Sequence, residues 1–388
     1  MSQSGKHCLV FGASGISGWA LLNAAVNYPT PTTFRRITGL CNRPLTKEAA
    51  LLPADPRINL VPGIDLTGSV ESVVQALREK VEDVETVTTV YFCAYIQTGD
   101  FQSLKQVNTE LLRVAITAID EVAPNLEAVI LQTGGKSYGV EFPDSVSITP
   151  PLREDMPRIP EPWASNIFYY SQHDVLQELS QGKRWTFSEV RPDGIVGFVP
   201  GTNAMNIAQG IAIYLALYRE VHGAGATVPF PGTEKSYRAT HTDTFQDILA
   251  RMEIHVSLHR DRCPNASVYN ITDGEVVSWA TVWPGLCAYF GLEGAAPVED
   301  AATPIEAFVT KNKGAWDALA QRHGLKAGLI EAQNWAFVHF LMVFGDFGRE
   351  YSIERARAIG FQEAIPTVKG YETAFERMVA AKVIPPRA

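Results

Sequence analysis

Residues 7–20, His7-Cys-Leu-Val-Phe-Gly12-Ala-Ser14-Gly15-Ile16-Ser-Gly18-Trp-Ala20, decide the fold. An apolar run from His7 to Ala13 reads as a buried strand. Glycines at 12, 15 and 18 read as a turn, and the apolar spacing from Ile16 to Val26 as a helix that follows at once. A strand, a GxxGxxG turn and a helix in immediate succession near the start of a chain predict a dinucleotide site. Gly12 permits the tight turn. Gly15 lets a pyrophosphate approach the backbone at the positive end of the helix, and Gly18 lets that helix pack closely on the sheet. Ser14 and Ile16 lie in the same loop and count among the expected cofactor contacts.

Outward from this unit, strand-like and helix-like stretches alternate. Short β runs are expected at Ile37–Cys41, Ile58–Ile64, Thr88–Tyr95, Ala128–Thr133 and Thr186–Arg191, and helices at Ser69–Val81, Leu104–Val122 and Asn166–Leu179. This alternation predicts an α/β fold, a Rossmann-type doubly wound parallel sheet. Residues 1–200 form the expected NADP-binding domain, with returning segments around 228–276. Residues 201–388 form a smaller, mainly helical, substrate-binding lid region. The Pro-rich stretch from Phe142 to Trp163 reads as a long surface excursion.

The second strand ends in Asn42-Arg43, where an NAD binder places an acid for the ribose hydroxyls. Arginine there points to the 2′-phosphate of NADP. Asp65-Leu66, after the third strand, is placed to meet the adenine. With a net charge of −9 over 388 residues, no basic excess exists for nucleic acid or an acidic membrane. No apolar run approaches the roughly 20 residues of a membrane span. Five scattered cysteines without a CxxC pair fit a reducing compartment, so a cytoplasmic location is expected. His255, His259 and Cys263 share helical spacing in a charged segment and are not expected to bind metal. His241-Thr-Asp243 reads as a helix cap.

Two segments carry the chemistry: TGGKSYG, 133–139, after the fifth strand, and NIFYYSQHD, 166–174, opening the next helix. A short-chain dehydrogenase has Tyr-x-x-x-Lys on that helix, yet His173 and Asp174 stand where the lysine would. Together the segments resemble the progesterone 5β-reductase/iridoid synthase-like family of extended short-chain dehydrogenases, whose motifs are TGxKHYxG and NFYYxxED. The resemblance extends to VYNITDGEVVSWATVWPGLCAYFG and to the tail motifs NWAF and YSIERARAIGF. It implies NADPH-dependent reduction of the C=C bond of an enone, with the lysine moved to the earlier motif and the catalytic pair on Tyr170 and Lys136. His173 and Ser137 replace the family's Glu and His. Thr133 and the RPDGIVG turn, through Arg191, Pro192 and Ile195, are expected to border the nicotinamide. Trp163, Phe344 and Phe347 are candidate walls for a bulky apolar enone or carbonyl substrate. A ketoreductase, a reductive cyclase or isomerase, and an NADP-sensing module without turnover are the alternatives. The sequence leaves room for a homodimer.

Overall fold

The structure, a computed structural model, describes residues 5–201, 203–298 and 304–387. Strands β1 (Lys6–Phe11), β2 (Phe34–Cys41), β3 (Ile58–Pro62), β4 (Thr89–Phe92), β5 (Ala128–Gln132) and β6 (Thr186–Pro192) join the strand Ser267–Ile271 in one sheet. Its spatial order is 267–271, β6, β5, β4, β1, β2, β3, and every neighbouring pair runs parallel. The chain therefore winds outward in both directions from β1 and β4. Between them lies the switch point where open α/β sheets bind ligands.

Both faces of the sheet are covered, so its central strands β1, β4 and β5 are nearly continuous apolar runs. In β1, Cys8 and Val10 enter one core cluster while Leu9 and Phe11 enter the other. The first face carries α1 (Ile16–Ala25) and the helices Ile207–His222 and Gln246–Leu258. The second carries Val70–Lys80 and Phe101–Val122, against which helix Phe168–Leu179 packs.

The residues beyond 200 supply the strand 267–271 and most of the helices on the first face. One apolar cluster runs from Cys8 to Ile384, so this region shares its core with the N-terminal half. The Pro-rich excursion is tied down: Leu152 is buried, bridges Tyr351 in the tail, and packs with Tyr138. No described helix is long and apolar enough to cross a membrane.

Candidate active site

The glycine turn is built as its spacing suggests. Gly12 has φ +89°, and a Cβ there would lie 2.8 Å from the backbone of Cys93 and Ala94 at the end of β4. A Cβ on Gly18 would overlap the Gly12 carbonyl oxygen, so α1 seats directly on the turn. At Gly15 the nearest neighbour of an added Cβ is 3.4 Å away. No side chain caps α1 and no acid occupies its first turn. Its first N–H groups are thus left for an anion. Ser14 is exposed beside this opening and Ile16 is buried beneath it. These residues fit a dinucleotide pyrophosphate.

Asn42 and Arg43 lie exposed at the end of β2. The Arg43 carbonyl accepts from Cys41 Sγ at 3.2 Å, while its guanidinium pairs with no described residue. Asp65 turns toward its own loop: Oδ1 accepts from Thr67 N–H at 3.0 Å and from the Thr67 hydroxyl at 2.7 Å, which holds its carboxyl below the usual range. Leu66 is buried.

The two adjacent tyrosines of the helix Phe168–Leu179 face different walls. The Tyr170 hydroxyl donates to the Ser137 carbonyl at 2.6 Å and accepts from Ile159 N–H at 3.1 Å. Its ring lies under Arg158 and borders a cleft of about 160 Å³ with His173 and Arg191. The resemblance implied Tyr170 as the catalytic tyrosine; the structure places its hydroxyl inside the protein, bonded to Ser137 and Ile159. The Tyr169 hydroxyl has no hydrogen-bond partner among the described residues. A Cβ on Gly134 would lie 3.9 Å from it and 3.3 Å from the Pro192 carbonyl, so it sits where β5 and β6 end. Burial pushes its pKa up, and Tyr95, Glu141 and Glu189 push the same way. Lys136, on the short turn Gly135–Tyr138, pairs with Glu141, a partner that sequence reading did not identify; both side chains are mostly buried.

A family profile described as a PRISE-like Rossmann-fold domain matches residues 8–385. The chain belongs to the PRISE-like family. Among its PRISE-like and other relatives, the short chain dehydrogenase ausT of Aspergillus calidoustus is 38% identical over 395 residues, covering 100% of this chain and 96% of that one. A 3-oxo-Delta(4,5)-steroid 5-beta-reductase of Arabidopsis thaliana is 26% identical, covering 97% and 92%. The crystal structure of a UDP-glucuronic acid 4-epimerase from Bacillus cereus in complex with NAD superposes with a TM-score of 0.58, at 15% identity, over 96% of this chain and 99% of that one. This PRISE-like chain is an oxidoreductase of the extended short-chain dehydrogenase/reductase class, a class that works with a nicotinamide cofactor.

The other expected site residues are placed as follows. The side chains of Thr133 and Arg191 both turn inward to the buried Glu189. Residues two apart on a strand share a face, so an acid and an arginine at 189 and 191 were the available sign of this pair. Ile195 lies half-buried on the strand Gly194–Val196. Trp163 packs with Val146, Ile159, Ile167 and Tyr170. Phe344 is 59% exposed and meets the His339 ring edge-on, and Phe347 is half-buried; neither joins the Trp163 cluster. His255 and His259 are engaged with the carbonyls of Ile359 and His255. Asp243 does not cap the helix that follows it; its carboxylate meets Tyr371 and Arg349 instead.

Proposed function

We propose that this PRISE-like enzyme is an NADPH-dependent reductase of activated C=C bonds, acting on a bulky apolar enone or enal by 1,4-reduction. One observation carries the reading: the Tyr169 hydroxyl, without a hydrogen-bond partner among the described residues, lies at the ends of β5 and β6, beside Gly134 of the turn that bears Lys136. When bound, NADPH supplies a hydride for the β-carbon of the substrate. Negative charge then gathers on the substrate's carbonyl oxygen as an enolate, which takes a proton from water at the α-carbon to give the saturated product. Tyr169, kept neutral by its raised pKa, is a hydrogen-bond donor for that oxygen. Lys136, its ammonium already partnered by Glu141, orients the donors.

NADP is favoured over NAD because the end of β2 offers Arg43 and no acid. An apolar substrate is favoured by the aromatic groups beyond β4 and β5. Phe101 and Phe142 meet at 5.3 Å between ring centroids, Tyr95 and Phe168 at 5.8 Å, and Phe101 is partly open to solvent. The steroid 5-beta-reductase relative supports the same class of bond. The test is NADPH oxidation over a panel of small and large enones with products identified by mass and NMR. A saturated ketone is expected; an allylic alcohol would assign the enzyme to carbonyl reduction.

A further inference from the structure

Glu189 lies in β6 with 1% of its surface exposed, and both carboxylate oxygens are engaged. Oε1 accepts from the Thr133 hydroxyl at 2.7 Å and from Arg191 Nε at 2.6 Å. Oε2 meets His173 Nδ1 at 2.8 Å. These partners come from three segments. Thr133 opens the turn of Gly134 and Lys136. Arg191 precedes Pro192, whose carbonyl faces Gly134. His173 lies four residues after Tyr169, about one helical turn.

We propose that Glu189 is a positioning residue for the reaction: a single buried carboxylate that holds the Lys136 turn, the end of β6 and the Tyr169 helix in one register. This rests on the reading of Tyr169 as the enolate donor and Lys136 as the residue that orients it. Stability alone is a poor reason for a charge at this place, because well-packed apolar residues commonly serve as well as a buried ion pair. On the same face of β6, Phe187 is apolar core; the strand turns to Glu189 and Arg191 only as it approaches the site. Burial opposes ionisation of Glu189, but Arg191 and His173 outweigh it and hold the carboxyl at about 2. The acceptor therefore stays charged wherever the enzyme is folded and working. Arg191 is itself fixed from its other side, with Nη1 3.4 Å from the Tyr138 hydroxyl, which in turn donates to Asn270 at 2.7 Å. None of these groups needs to touch substrate; a displacement of about 1 Å in a reacting group can cost roughly 10²-fold in rate.

The test uses the full chain with NADPH, and cyclohex-2-en-1-one and progesterone as probes. Glu189→Gln strips the charge but strands Arg191 and is open to misfolding. Thr133→Val leaves the Glu189, Arg191 and His173 contacts intact and removes one donor at nearly constant shape, so it is the deciding variant. Its kcat is expected to fall about tenfold, with KM and NADPH affinity within about twofold of the parent, and Thr133→Ser is expected to restore it. Amide hydrogen exchange followed by mass spectrometry is expected to quicken in 133–139 and in 168–174. That arm reads the register without any turnover, so it decides the proposal even if the parent enzyme reduces neither enone, a result that would instead overturn the proposed activity. Unchanged exchange in both segments overturns the positioning role. So does a Thr133→Val enzyme with the parent's kcat, or a loss confined to KM or to cofactor affinity.

Discussion

Tyr169 and Tyr170 differ by one position and by the wall each hydroxyl meets. Tyr170→Phe leaves the Ile159 N–H without its acceptor and the Ser137 carbonyl without its donor. A buried polar group stripped of its partner costs about 1–3 kcal/mol. Urea unfolding should show a loss of that size, with turnover of the folded fraction largely kept. Tyr169→Phe removes no described hydrogen bond and should leave stability near that of the parent. It should cut kcat about 10²–10³-fold, the usual cost of losing one oxyanion donor, with NADPH affinity retained. The reverse pattern, turnover lost in Tyr170→Phe alone, would return the donor role to Tyr170. Arg43 yields to a parallel comparison. Its guanidinium has no described partner to lose, so Arg43→Ala should leave the melting temperature unchanged and weaken NADPH far more than NADH. Equal weakening of both cofactors would show that Arg43 does not meet the 2′-phosphate.

At the scale of elements, α1 and its glycine turn stand or fall together. In Gly18→Ala the new methyl overlaps the Gly12 carbonyl, and the helix must lift off the turn. Overpacking of this kind costs about 1–3 kcal/mol, sometimes more, and calorimetry should show it alongside a loss of NADPH binding. A variant that binds NADPH as the parent does would mean that α1 can shift without opening the cradle. On the other side of the same strand, His7 ties β1 to β2 through Thr38 at 2.9 Å and to Thr86 at 3.0 Å. Burial, with Arg36 and Arg35 adding, lowers its pKa from 6.5 to about 4. The unfolded chain therefore takes up a proton below pH 6.5 that the fold refuses until about 4, and stability falls with pH across that window. From pH 7 to 5 the loss from this group is about 2 kcal/mol, and His7→Gln should flatten that slope in urea titrations. The elements themselves were legible because apolar period and glycine spacing are local properties of the chain. Which residue of a helix faces the site was not. The sequence pattern starts the helix at Asn166, whereas a short turn at Ala164–Asn166 delays it to Phe168. Neighbouring helical residues point about 100° apart, so a small error in helix start and rotation exchanges Tyr169 for Tyr170. The inward turn of Thr133 was equally hidden, since it depends on Glu189 of another strand, whereas the spacing of Glu189 and Arg191 on β6 did signal their pair.

For the molecule as a whole, the tail is fastened beside the site by charge. Arg349 is 3% exposed; Nε lies 3.2 Å from Asp193 in the turn after β6, and Nη2 lies 3.8 Å from Asp243. Tyr371, on the C-terminal helix Thr367–Ala380, reaches the same Asp243 at 3.2 Å. Next to Arg349, Tyr351 packs on Tyr138 of the Lys136 turn. Arg349→Met leaves two buried carboxylates without their cation, a change that costs about 3–5 kcal/mol when a buried pair is broken on one side. The pH dependence separates this account from simple loss of packing. Burial raises Asp243 to about 7, with Arg349 opposing and Asp193 adding to the rise, and burial raises Asp193 too. A carboxyl whose folded pKa is raised above its ordinary 3.8 contributes less stability as pH climbs from about 4 toward that folded value. Removing Arg349 lifts the folded pKa of both acids further, so in the variant the decline continues above pH 7. The deficit of Arg349→Met relative to the parent should therefore widen from pH 6 to pH 8 in urea unfolding. Proteolysis should release fragments of the 344–352 segment more readily at the higher pH. A deficit that stays constant over this range would mean that Arg349 holds the tail by its shape and not by its charge.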